Sequence, residues 1–92
     1  MNSNLDDLLD DGFEEYRDFM YENHDMIISN RNYFVKDKFF STAFKIERVK
    51  ELIDFFELEE EYERCAELEK IKDALEVQHL FSEIYEKKEI PG

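Results

Sequence analysis

Glycine, proline and cysteine are scarce in this chain of 92 residues, and each shortage excludes something. Two glycines and a single proline, Pro91 near the end, leave nothing to punctuate the interior except Gly12 and the polar cluster near residues 29–32. Long helices with few breaks are the natural outcome. With glycine only at positions 12 and 92, no glycine-rich phosphate loop exists. The lone cysteine, Cys65, cannot close a disulfide within one chain, which points to a reducing, cytoplasmic setting. No apolar run approaches the ~20 residues needed to span a bilayer. The first residues lack a basic stretch leading into an apolar one, so neither a membrane span nor a secretory leader is expected.

Basic side chains are also few: 12 against 25 acidic ones, for a formal charge of −13 and a pI near 4.4. The charge falls into blocks. Residues 1–29 carry nine acids and one base, residues 30–50 two acids and six bases, and residues 51–92 fourteen acids and five bases. A basic middle packed between acidic flanks relieves their repulsion; alternatively the middle is a contact surface of its own. A chain 40% charged leans towards disorder. Nine Phe and five Tyr oppose that, because large aromatic faces offset ordering entropy. The length suits one small helical domain over residues 1–92, hiding only ~60–65% of its unfolded surface and leaving no deep cleft.

Helical spacing is clearest in three places. Leu5, Leu8, Leu9, Phe13, Tyr16, Phe19 and Met20 predict a helix over about 4–23, with Asn4 as N-cap and His24 at its C-terminal end. Gly12 lies inside that stripe, which suggests close approach of another helix. Ile46, Val49, Leu52, Ile53 and Phe56 predict a helix over about 42–57 starting near Ser41 or Thr42. Tyr62, Cys65, Ala66, Leu68, Ile71 and Leu75 predict another over about 60–88. Its apolar set rotates to Val77, Leu80, Phe81, Ile84 and Tyr85, so a bend, break or change of partner is expected near residues 76–79. Residues 24–42 read either as a small hairpin about Ser29–Asn32 or as a turn and a short helix over 32–40 capped at Asn32. The helix is preferred, because isolated three-residue strands are marginal in water.

The expected fold is therefore all-α: three to four helices, with a helical hairpin at about 42–88 packed against an N-terminal amphipathic helix. Its expected core is Leu9, Phe13, Tyr16, Val49, Leu52, Ile53, Phe56, Cys65, Leu68 and Leu75.

Ile46, Val49, Ile53 and Phe56, followed by Tyr62-Glu63-Arg64-Cys65-Ala66-Glu67-Leu68 and Leu75, resemble the UVR-type helical hairpin of excision-repair proteins. The likeness covers about a third of the chain. Glu69-Lys70 stand where that family has Arg-Asp, and Lys72 where its next apolar residue falls. The resemblance implies an antiparallel helical hairpin of the kind that mediates protein contacts, and no function is carried over from it.

Chemistry has little to work with. Glu76-Val-Gln-His79 is one Glu-x-x-His step, whereas a di-iron bundle needs two such steps and two further glutamates. Asp7, Asp11, Gly12 and Asp18 mimic part of a calcium loop, but Leu9 holds its third position and the closing Glu is an Asp. Cys65 lies on an apolar face, the place of a structural thiol. No enzyme, metal or cofactor is expected. Lys36, Lys38, Lys45, Arg48 and Lys50 interleave with Phe39 and Phe40 as in single-strand binders. The acidic flanks would repel a polyanion within a Debye length of ~8 Å, so direct nucleic-acid binding is not expected.

What remains is acidity on helices. Acids at i and i+4 stand ~6 Å apart along an axis. Glu59, Glu63 and Glu67 follow that step, as do Asp7 and Asp11, and Asp10 and Glu14; Glu60 shares the acidic side of the last helix. These eight residues are the candidate partner-binding set, a charge pattern resembling nucleic-acid phosphates. Small phage inhibitors of restriction, CRISPR or polymerase machinery resemble the chain in size, charge and helicity. The expected function is a non-enzymatic, cytoplasmic protein-binding module that occupies the basic surface of a nucleic-acid-binding partner. The alternative is a helical adaptor or homo-oligomer using its aromatic faces.

Overall fold

A computed structural model describes the backbone of residues 2–88 and the side chains of residues 12–84. Four helices follow one another: α1 (Asn2–Ser29), α2 (Arg31–Lys36), α3 (Thr42–Leu58) and α4 (Tyr62–Lys88), with no strand among the described residues. The all-α fold is thus as the periodicity predicts.

α3 and α4 form the antiparallel hairpin. Ser41 caps α3, its Oγ accepting the Phe44 N–H at 3.1 Å, which satisfies one of the first-turn donors. At the other end the chain reverses through Glu59-Glu60-Glu61. Glu61 N–H donates to the Phe56 carbonyl at 2.9 Å and Glu60 N–H to the Glu57 carbonyl at 3.1 Å. This bond pair is a Schellman turn, which places its pivot in the left-handed region. That pivot is Glu60, with φ of 60°. A side chain there costs ~1 kcal/mol or more that glycine avoids, partly offset by glycine's greater unfolded entropy. Glu60→Gly is expected to stabilise the chain by about 0.5–1 kcal/mol, read as a rise of a few degrees in Tm.

α1 runs alongside α4 in the same direction. Arg17 reaches Glu59, Tyr21 reaches Glu61, and His24 reaches Arg64 and Glu67. The buried core holds Met20 and Ile27 from α1, Ile46, Val49, Leu52, Ile53, Phe55 and Phe56 from α3, and Cys65, Leu68, Ile71 and Leu75 from α4. The Cys65 thiol donates to the Ile53 carbonyl at 3.6 Å. Burial first, then the nearby charges of Glu57 and Glu69, push its pKa up. A raised thiol pKa means little thiolate, so Cys65 should react with a thiol reagent only as fast as the native chain opens. Full titration of the folded chain within minutes would contradict this.

Three expectations need correction. First, α1 continues to Ser29 and includes Asn2, so Asn4 lies inside the helix and His24 does not end it. Met20, His24 and Ile27, spaced by four and three, carry the buried face through residues 24–28. The short helix also starts earlier and stops at Lys36, leaving Phe39 and Phe40 in the linker. Second, Phe13 and Tyr16 are not core: they are 53% and 49% exposed. The hairpin ends level with Arg17, so Phe13 lies beyond it, and Tyr16 sits at its edge, meeting the Phe55 ring edge-on at 5.6 Å; Leu9's side chain lies outside the described residues. Third, Gly12 meets no close neighbour, and nothing in the described residues lies within 4 Å of where a Cβ would stand.

Near residues 76–79 α4 neither breaks nor reverses; its burial ends. Leu75 is fully buried, while Val77, Leu80, Phe81 and Ile84 are exposed. α4 has 27 residues against 17 in α3, so its last turns outrun the hairpin. With α1 overhanging one end and α4 the other, the molecule measures 68 × 27 × 20 Å.

Candidate protein-docking surfaces

The hairpin tip concentrates acid. Glu57, Glu59, Glu60, Glu61 and Glu63 fall within seven residues. The turn and α1 fix them in place, since Arg17 Nε pairs with Glu59 Oε1 at 2.7 Å and the Tyr21 hydroxyl donates to Glu61 Oε1 at 3.1 Å. Behind the tip, Arg64 is stacked over Tyr21 and Phe56 at 4.7 and 5.6 Å from the ring centroids. Its guanidinium donates to Asp25 Oδ1 at 3.0 Å and to His24 Nδ1 at 2.7 Å.

Arginine can only donate, so Nδ1 of buried His24 accepts and the imidazole proton sits on Nε2, 3.7 Å from Glu67 Oε1. The 3.4 Å approach of Asp25 to the same Nδ1 is then proximity rather than a bond. The Arg64 guanidinium, bonded to the Asp25 carboxylate, lowers its pKa.

The eight candidate residues are not one row. Glu63 and Glu67 stand one turn apart on α4, but Glu59 caps α3 and Glu60 is the turn pivot. Glu59 is engaged by Arg17 and Glu67 faces His24, so both have structural duties. Glu60 and Glu63 are exposed, as is Glu14 on α1 close to Arg17 and Asp18. The side chains of Asp7, Asp10 and Asp11 lie outside the described residues. The tip thus brings three of the eight together, Glu59, Glu60 and Glu63, around a turn instead of along a helix, with Glu67 one turn further along α4.

A second surface lies at the far end of α3. Asn23, Met26, Ile27 and Asn30 of α1, Tyr33 and Phe34 of α2, Asp37 and Phe40 of the linker, and Phe44, Lys45 and Arg48 of α3 line a groove of about 580 Å³. Phe40 stacks on Phe44 at 5.0 Å, and Phe39 meets Phe40 edge-on at 4.9 Å. Lys45 is 2% exposed, its ammonium donating to the carbonyls of Val35 and Asp37 at the end of α2. Basic–aromatic interleaving signalled this region in the sequence. The groove itself did not show there, because it needs α1 and α2 folded across α3.

Among the described residues, no group of three or more His, Cys, Asp or Glu is placed to hold a metal ion. His79, one half of the Glu-x-x-His step, lies 3.3 Å from Glu83. Among the same residues, no helix is long and apolar enough to cross a membrane.

Fold and surfaces together define a small all-α chain: a helical hairpin flanked by a long helix, acidic at its tip and basic-aromatic at the groove. No family model, curated protein or solved structure matches it, so the UVR-type likeness goes no further than the antiparallel hairpin.

Proposed function

We propose that the chain is a non-enzymatic, acidic protein-binding module whose hairpin tip occupies a basic, nucleic-acid-binding surface of a partner, in the manner of small phage inhibitors. The observation that carries this reading is the packing of five glutamates into seven residues around a turn braced by Arg17 and Tyr21. A braced tip loses little entropy on docking, and acidic charge steers it to a basic patch. Direct nucleic-acid binding is the weaker reading, since Lys45 is committed to backbone carbonyls and the net charge is −13.

The test is capture from lysate with the tagged chain, followed by competition. A partner released by excess nucleic acid and by salt supports the reading; capture indifferent to both refutes it. A second reading, an adaptor or homo-oligomer using aromatic faces, is favoured by the exposure of Phe13, Phe19, Phe40 and Phe81.

A further inference from the structure

We infer that His24 is a proton-operated latch between α1 and the hairpin tip: neutral, it holds Arg64; protonated, it releases Arg64 and turns to Asp25 and Glu67. The latch stands on the geometry of the chain alone, while its effect on docking rests on the acidic-tip reading.

The contacts of the ring define both states. His24 is 3% exposed, and its Nδ1 accepts from Arg64 at 2.7 Å. That bond exists only while Nδ1 carries no proton, since arginine has nothing but donors. Protonation sets one N–H against another, so a charged His24 and the Arg64 bond exclude each other. The groups that receive the charged ring already stand round it. Asp25 Oδ1 of α1 is 3.4 Å from Nδ1, and Glu67 Oε1 of α4 is 3.7 Å from Nε2. Nε2 is buried with no hydrogen-bond partner among the described residues, a costly state for a donor. Closing the Glu67 gap pairs it, and a charged donor makes that bond the stronger one.

The remaining neighbours do not compete for the proton. α3 presents the Phe56 ring, edge-on at 5.3 Å. Glu61 and Glu63 line the depression that holds His24, so Asp25, Glu61, Glu63 and Glu67 stand there against the single cation Arg64. Carboxylates as a class stay ionised and arginine stays charged from pH 8 to 5, the window in which histidine changes charge. The released guanidinium then lies beside Glu61 and Glu63. With the charge on the ring it lowers the negative potential of the tip, so acid weakens the hold on a basic partner.

The test is nitrogen NMR of the full chain from pH 8 to 5, which needs no partner and so fails separately from the tip reading. The Nε2–H tautomer is expected at pH 8, and the Arg64 side-chain signals should move with the same midpoint as His24. His79→Gln should leave this unchanged, because His79 pairs with Glu83 and sits ~22 Å beyond Arg64 along α4. An Nδ1–H tautomer at pH 8 overturns the latch. So do Arg64 signals that ignore the His24 titration, or a His24 still neutral at pH 5 in a chain that circular dichroism shows folded. The captured partner should bind at least about fivefold more weakly at pH 5.5 than at pH 8, the low end of ordinary coupling between two sites. His24→Gln keeps an oxygen that accepts from Arg64 and cannot titrate, so it should abolish the difference. An equal loss in that variant, or parental docking indifferent to pH, overturns the effect on docking; the NMR titration of the parent decides the latch even if the variant does not fold.

Discussion

Phe56→Ala is expected to cost ~3–5 kcal/mol, the usual range for emptying a buried phenylalanine site. The ring is fully buried and serves as the meeting point of three helices. Tyr21 and His24 of α1 approach it edge-on at 5.0 and 5.3 Å, Phe55 does so at 5.1 Å, and the Arg64 guanidinium of α4 lies 5.6 Å from its centroid. Losing it removes packing area and also the surface against which His24 and Arg64 are held. A small domain has on the order of 5–15 kcal/mol in total, so the variant should be largely unfolded well below the parental Tm. Thermal melts followed by circular dichroism decide it, and a Tm within two degrees of the parent would show that α1 does not dock on this ring.

Reversing Glu60 and Glu63 to Lys is expected to weaken partner binding by about 2–4 kcal/mol, since charges facing a complementary surface turn from attraction to repulsion. The two sites are chosen because they are exposed and lie at the tip. Each reversal changes the charge by two, taking the chain from −13 to −9 and easing its self-repulsion. The free protein should keep its helicity, as Glu and Lys have similar helix propensity.

Reversing Glu59 and Glu67 is a different experiment: it sets a cation against Arg17 and another against His24 and Arg64. That pair should lose stability as well as affinity. Reversal of Asp7, Asp10 and Asp11 asks whether α1 contributes to docking. Calorimetric titration against the captured partner at low and high salt reads all three. Parental affinity for Glu60→Lys/Glu63→Lys in both conditions would make the tip a solvated face and nothing more.

The order of helices was legible in the chain because helical periodicity is a local property. The start of α3 near Ser41 or Thr42 and the buried set Val49, Leu52, Ile53, Phe56, Cys65, Leu68 and Leu75 follow from spacing. Spacing says which side of a helix is apolar, and it does not say how far a neighbour extends. Phe13 shares α1's apolar side with Met20 yet stays exposed, and Tyr16 is half-exposed with one edge on Phe55, since the hairpin stops at the level of Arg17. Val77, Leu80 and Phe81 stay exposed because α3 is ten residues shorter than α4.

Tertiary placement also decided which acids are structural. Glu59 and Glu67 look like Glu63 in the sequence, and only the arrival of Arg17 and His24 from α1 distinguishes them. The sequence by itself determined an acidic all-α chain with a hairpin, since charge and periodicity are written residue by residue. The helix overhangs, the groove and the braced acidic tip were decided by tertiary structure, because each depends on where one helix ends against another.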